Sequence, residues 1–520
     1  MTDTYYITTS IPYVNAAPHL GHALEFAQAD TIARYCRQQG GDVRLLTGTD
    51  DNSLKNVLAA EREGVPVQEL VNRNAQAFIE LAQEIQLSND DFVRTSVDPR
   101  HEQGVRRLWE RLDQQGDLYK RAYSGLYCVG CEQFTTEEEL IDGVCPDHGT
   151  RPEIVEEENY FFRLSRYEGQ LREAIESGAL QIVPESRRNE VSALIAQGLN
   201  DFSVSRTRQR ARGWGILVPG DPTQVMYVWF DALANYITGL GYGSDAALYQ
   251  RYWLNNPYRV HVIGKDILRF HSVYWPAMLL AAGEPLPSTL LVHGFLTVGG
   301  QKISKSRGNR IDPRELIQGY GADAVRYWLL RAVPPTDDAD YTEEKFIQRY
   351  NAELANDIGN LVQRATALVT RYADGVVPAP ACVGRAEERL LAQAQPLPEV
   401  VADAFQRLAL DDALAAILTL VSAANRYAEE TAPWKIARDV ASGVTGTREQ
   451  LETTLYHLAE AARLTCWYLW PFIPTSAAEG HRRLCGQDPE GGLGTFGSVS
   501  PGRVVRAGAP LFPRFDAARA

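Results

Sequence analysis

Residues 4–50 read TYYITTSIPYVNAAPHLGHALEFAQADTIARYCRQQGGDVRLLTGTD. The opening TYYITTSIPY is rich in aromatic and β-branched residues, the composition of a buried strand. ALEFAQADTIARYCRQQG then repeats apolar residues at helical spacing and stops at Gly40 and Gly41. DVRLLTGTD is a second short apolar strand that ends in polar residues. Strand, helix, strand in this order predicts a βαβ unit and a parallel sheet, with its ligand site at the carboxyl ends of the strands.

His19 and His22 fall at the junction between the first strand and the helix, in PHLGH. Three positions apart, they share one helical face. A metal would want a third ligand, and the glutamate of a hydrolytic His-Glu motif is absent between them. Gly21 points to close approach of a ligand to the backbone. Neutral imidazoles at a helix N-terminus can donate to phosphate oxygens, where the dipole also favours an anion. Structural histidines satisfied within the protein read equally well from these residues alone.

At 520 residues the chain is long enough for two to four domains. Its 45% hydrophobic and 23% charged residues are those of an ordinary globular protein. No secretory signal opens it, and no apolar run is long enough to span a membrane, so a cytoplasmic protein is expected. The net charge of −14 disfavours nucleic acid at long range without excluding local basic patches. Arg206, Arg208, Arg210 and Arg212 form one such patch, read on charge alone as a solvated strand. Of the seven cysteines, Cys36, Cys382, Cys466 and Cys485 stand alone and read as small buried hydrophobes.

The other three cluster in CVGCEQFTTEEELIDGVCPDHG. Cys128 and Cys131, then Cys145 and His148, are two knuckle-spaced pairs that suit one tetrahedral zinc. Four protein ligands fill the coordination sphere, so this zinc is expected to be structural, fixing a knob without a core of its own.

Strand and helix alternation resumes in YRVHVIGKDILRFHSVYWPAMLLAAG, followed by TLLVHGFLTVGGQKISKSRGN. There Lys302 and Lys305 bracket Ser304, with Ser306 next, in a loop preceded by glycines. Lysines are flexible point charges that suit a polyphosphate accumulating charge during reaction, although most such loops are simply solvated. From about 343 the pattern turns to long helix-period segments, predicting a C-terminal bundle, with RVVRAGAPLFPRFD as a closing strap.

HLGH after the first strand and KISKS after the last resemble the signature of class I aminoacyl-tRNA synthetases. IPYVNAAPHLGH, TGTDD, the cysteine knob, EEENYFFRLSRY, YVWFDALANYITGLGYG, IGKDILRFHSVYWPAML, VHGF and ETAPWKIARD extend the resemblance, nearly end to end, to the methionyl-tRNA synthetase family. It implies a split Rossmann-type α/β catalytic domain with an inserted zinc knob, followed by an all-α bundle. Residues 1–111 and 186–300 would be the catalytic halves, and 112–185 the connective insertion. Residues 301–345 would hold the KISKS loop and stem-contact region, and 346–520 the anticodon-binding bundle.

The implied reaction joins L-methionine to tRNA(Met), initiator and elongator, through a methionyl-adenylate, releasing pyrophosphate and AMP. His19, Gly21, His22, Gly264, Asp266, His293, Lys302 and Lys305 would contact ATP, with both histidines and both lysines catalytic. Ile11, Tyr13, Asp51, Trp229, Leu233, Tyr236 and His271 would form the methionine pocket, Asp51 facing the ammonium. Asn360, Arg364 and Trp434 would read the anticodon, by stacking and base-edge hydrogen bonds. Mg²⁺ would arrive with ATP.

The sequence departs from the family at Asn52 and Ser53, where a His-Gly is usual, and carries Ile303 where methionine is frequent. No large editing insertion separates the catalytic halves, and no dimerising appendix follows the bundle, so a monomer is expected. Two other readings are an adenylate-forming paralogue that uses a non-tRNA acceptor, and a non-catalytic tRNA-binding protein. Retention of Asn360, Arg364 and Trp434 speaks against the first, and intact HLGH and KISKS against the second.

Overall fold

The computed structural model describes residues 3–515 apart from 129, 131, 132, 136, 147, 148, 245, 300, 303–310, 335–337, 493 and 499. Two units divide the chain: 1–29, 42–83 and 87–293 form the first, and 30–41, 84–86 and 294–520 the second.

The first unit is built on a parallel sheet of β1 (Thr4–Thr9), β2 (Asp42–Thr49), β3 (Asp91–Arg94), β4 (Gln181–Val183), β5 (Tyr258–Gly264) and β6 (Thr289–His293). Its order is β3-β2-β1-β5-β6-β4. The chain winds outward from β1 to β3, crosses to the opposite edge at β4, and then places β5 beside β1 and β6 between β5 and β4. Ile7 is in register with Leu45 on one flank and Val260 on the other. Tyr6, Ile7, Leu45, Leu46, Val262 and Ile263 are all fully buried, as strands covered on both faces require.

Helix α1 (Leu20–Gln38) links β1 to β2, and α2 (Leu54–Glu63) with α3 (Val67–Glu84) links β2 to β3. Ser53 caps α2 through Lys55 N–H, and Gly64 ends it in the left-handed conformation. Helix α4 (Pro99–Gln114) starts from the Asp98 cap with Pro99 in its first turn. Between the sheet halves, strands Leu118–Cys128 and Glu153–Phe162 form the core of an antiparallel sheet. Strand β4 falls within the stretch expected to be insertion, yet it pairs parallel with β6.

The second unit contains the strands Leu296–Val298, Gln301–Lys302 and Ala339–Tyr341, followed by helices from Glu343 to Cys485. The strap reading of the tail holds: Val504 bridges to Val376, and Phe512 is buried. Cys466 and Cys485 are buried as expected, whereas Cys382 is exposed. Among the described residues, no helix is long and apolar enough to cross a membrane.

A buried guanidinium ties distant parts of this unit together. Arg326 pairs with Asp30 Oδ2 at 2.7 Å and donates to the carbonyls of Ile85, Pro471 and Phe472. Arg34 holds the same carboxylate at 2.6 Å. Arg326→Leu removes the donors to three buried carbonyls and half of the Asp30 pairing, and should cost about 3 kcal/mol in urea-induced unfolding.

Candidate active site

The reversal of strand order between β1 and β5 opens a crevice at their carboxyl ends, the usual ligand site of such sheets. PHLGH lies at this edge. The His19 carbonyl accepts from His22 N–H at 3.0 Å, which makes His19 the residue that caps α1. Gly21 N–H donates to His19 Nδ1 at 3.1 Å, and His19 N–H donates to His22 Nδ1 at 3.0 Å. The two imidazoles therefore form a reciprocal capping box, a role more often taken by Ser or Thr with Glu. Their rings stack at 3.8 Å, and Phe78 meets the His22 ring edge-on.

Because both Nδ1 atoms accept, each neutral ring carries its proton on Nε2. A Cβ at Gly21 would meet His19 Cε1 at 3.0 Å, so glycine there leaves room for the His19 ring.

Glu25, one turn further along α1, was not identified from the sequence. Its Oε1 accepts from the backbone and hydroxyl of Ser10 at 2.6 Å each, and its Oε2 lies 3.1 Å from His293 Nε2. His293 is in register with Gly264 across β6 and β5. A Cβ on Gly264 would sit 2.9 Å from Asp266 Oδ1. One buried carboxylate thus links the ends of β1 and β6 to α1, with Gly264 and the exposed Asp266 beside them. A glutamate on the buried face of an amphipathic helix is the sequence signal that could have found it.

The aromatic residues expected to form a cup do come together. Trp229 stacks on Phe270 at 3.7 Å with 4° between planes, and Tyr13 and His271 meet Trp229 edge-on. Leu233 is buried on the same short helix, Val228–Leu233. Ile11 Cγ2 would lie 3.1 Å from a Cβ on Gly48, at the end of β2. Phe270 escaped sequence reading. It is adjacent to His271 on a π-helical turn, Phe270–Tyr274, and such turns recur at functional sites. Trp229 Nε1 is buried with no hydrogen-bond partner.

Tyr236 OH lies 2.7 Å from His271 Nε2, while His271 Nδ1 lies 2.9 Å from the Ile267 carbonyl. The carbonyl can only accept, so Nδ1 carries the proton and Tyr236 donates to Nε2. Burial pushes the His271 imidazole down to about 4, against the opposing bond to Ile267. Tyr236 also stacks on His261 at 4.0 Å, and burial holds that imidazole well below its ordinary range.

Asp51, expected to face a substrate ammonium, is occupied within the protein. Its Oδ2 accepts from Arg94 at 2.8 Å and Ser96 at 2.7 Å, and its Oδ1 from Thr49 at 2.8 Å. Burial nonetheless raises its pKa, partly offset by Arg94. The preceding residue, Asp50, bridges to Tyr13 of the cup and is 2% exposed. Of the residues that depart from the family, Ser53 is the α2 cap, and Asn52 Nδ2 donates to Asp231 Oδ2 at 2.7 Å.

Arg206 is not the solvated residue its charge implied. It is 7% exposed, donates to the Ser203 hydroxyl and Ser205 carbonyl, and lies over Tyr227. Cys128 and Cys145 are both buried, while Cys131 and His148 lie outside the described residues. Ile303 and Lys305 also lie outside them. Lys302 is described by its backbone alone, which pairs with Thr297. Asn360 begins the helix Asn360–Tyr372 and is exposed, and Arg364 follows 3.8 Å from Glu429. Half-buried Trp434 lies in the first turn of Pro433–Ala441, which packs against that helix.

A neutral His271 has a testable thermodynamic consequence. Its depressed pKa contributes stability that is complete above about pH 6.5 and lost as pH falls toward 4. Unfolding free energies measured from pH 7 to pH 4 should fall about 3 kcal/mol further for the parent chain than for His271→Gln.

The model for tRNA synthetases class I (M) matches residues 5–151 and 137–366. The chain is 43% identical to the methionine--tRNA ligase of Caldanaerobacter subterraneus subsp. tengcongensis, over 99% of this chain and 80% of that protein. It is likewise 43% identical to that of Mycobacterium leprae, over 98% and 95%. The Mycobacterium tuberculosis methionyl-tRNA synthetase in complex with methionyl-adenylate matches at a TM-score of 0.93 and 42% identity, covering 99% of this chain and all of that one. With the strand order, the HLGH cap and the aromatic cup already in place, these matches show that the chain belongs to the methionyl-tRNA synthetase family of class I aminoacyl-tRNA synthetases.

Proposed function

We propose that this chain catalyses ATP-dependent ligation of L-methionine to its cognate tRNA through a methionyl-adenylate. The observation that carries the reading is the histidine capping box at the point where the strand order reverses. In the first step a methionine carboxylate oxygen attacks the α-phosphorus of ATP. The bond from that phosphorus to the β-phosphate bridging oxygen breaks, and pyrophosphate leaves. His19 and His22 donate from Nε2 to the phosphate oxygens, already oriented by their Nδ1 bonds, so no reorganisation is needed as charge develops. Lys302 and Lys305 neutralise the leaving pyrophosphate, and Mg²⁺ arrives with ATP. Gly264, Asp266 and His293 form the adenosine side, with Asp266 on the ribose hydroxyls.

Methionine lies in the cup of Ile11, Tyr13, Trp229, Leu233, Tyr236, Phe270 and His271, where a polarisable thioether packs well on aromatic rings. A neutral His271 spares the pocket a buried cation. Asp50, rather than Asp51, pairs with the substrate ammonium. In the second step the terminal ribose hydroxyl of tRNA attacks the methionyl carbonyl and AMP leaves. Asn360, Arg364 and Trp434 read the anticodon of initiator and elongator tRNA(Met). Cys128, Cys131, Cys145 and His148 would hold a structural zinc, three thiolates and one imidazole being a donor set that suits that ion. The enzyme acts as a cytoplasmic monomer.

Pyrophosphate exchange into ATP should depend on methionine, and its absence with methionine as the added amino acid would sink the reading. His22→Ala should slow adenylate formation about 100-fold while leaving the methionine KM within a few-fold. Equal loss of both would return the pair to a purely structural cap. Elemental analysis should find about one zinc per chain, reduced in Cys145→Ser.

A further inference from the structure

We propose that Asp231, His101 and Asn52 form a positioning network for the amino-acid end of the site. It rests on the methionine-activating reading above. One buried carboxylate joins the strand end that carries Asp50 to the helix that carries Trp229 and Leu233.

Asp231 lies on Val228–Leu233, a helix of six residues and too short to be stable without tertiary ties. Its side chain is 1% exposed, so both oxygens need donors inside the protein. Oδ1 lies 2.5 Å from Nε2 of His101, itself fully buried on α4, and Oδ2 accepts from Asn52 Nδ2 at 2.7 Å. His101 is held in turn by Thr238 Oγ1, 2.8 Å from its Nδ1. The Asn52 amide also reaches the Thr95 carbonyl at 3.4 Å, and its backbone N–H donates to Asp50 Oδ1 at 3.1 Å. A continuous path therefore runs from α4 through Asp231 and Asn52 to the acid beside Tyr13.

Three walls of the cup meet in this network: the loop after β1 with Tyr13, the end of β2 with Asp50, and the helix with Trp229. A network that served stability alone would affect every substrate equally when broken. One that sets the spacing between Asp50 and Trp229 acts on the amino acid, which must place its ammonium on one and its side chain on the other. The network also accounts for a departure of this sequence. Asparagine at 52 supplies an N–H donor to Asp231, which the ring N–H of the family's usual histidine could also supply.

The test compares Asp231→Asn, Asn52→Leu and Asn52→His in the full chain by pyrophosphate exchange and thermal unfolding. Asp231→Asn and Asn52→Leu should raise the methionine KM roughly 10- to 100-fold, with the ATP KM within about twofold and kcat within about fivefold. Asn52→His should stay within about threefold of the parent. Folded variants with an unchanged methionine KM would overturn the proposal, as would parallel losses in both KM values and kcat. Should Asp231→Asn fail to fold, the half-exposed Asn52 pair still decides the matter. A parent chain without methionine-dependent exchange would overturn the functional reading and this proposal together, whereas an active parent matched by its variants overturns this proposal alone.

Discussion

Strand β1 is held along both edges, by β2 on one side and by β5, from the far end of the unit, on the other. A hydrogen bond of 2.7 Å between Thr8 Oγ1 and His261 Nδ1 crosses that second pairing over a separation of 253 residues. Parallel neighbours need crossovers, and restarting the sheet on the opposite flank leaves two loops diverging from one seam. His261 does more than join strands, because its buried neutral ring is the platform on which Tyr236 stacks. The aromatic cup is thus tied to the sheet junction itself.

The histidine pair is first of all a structural motif. Each Nδ1 is spent on a backbone N–H at the start of α1, and that bond determines which nitrogen of the neutral ring carries the proton. Capping a helix and offering donors to an anion are compatible because imidazole has two nitrogens with opposite roles. Glu25 completes the arrangement by fastening the same helix to Ser10 and His293.

Much of this was legible in the residue order. The strand–helix–strand opening, the helical bundle and the cysteine spacing follow from periodicity, composition or motif, and the aromatic positions of the cup from the family resemblance. Asp50 and Asp51 were not separable in that way, since adjacent acids differ only in the face of the strand they occupy. The Arg94, Ser96 and Thr49 donors that claim Asp51 come from other turns of the chain and from its own strand. Phe270 was hidden by a π-helical turn, which shifts residues relative to the 3.6 period that sequence reading assumes.

By itself the sequence determined the class of fold and the family to which the chain belongs. These are properties of local pattern and side-chain chemistry. Tertiary structure alone decided which groups are held within the protein: Asp51 by Arg94 and Ser96, and Arg206 packed on tyrosines instead of in water. The physical reason is that burial and pairing depend on partners that only folding delivers, such as Arg94, 43 residues from Asp51. The desolvation cost of a buried polar atom depends on whether those partners arrive.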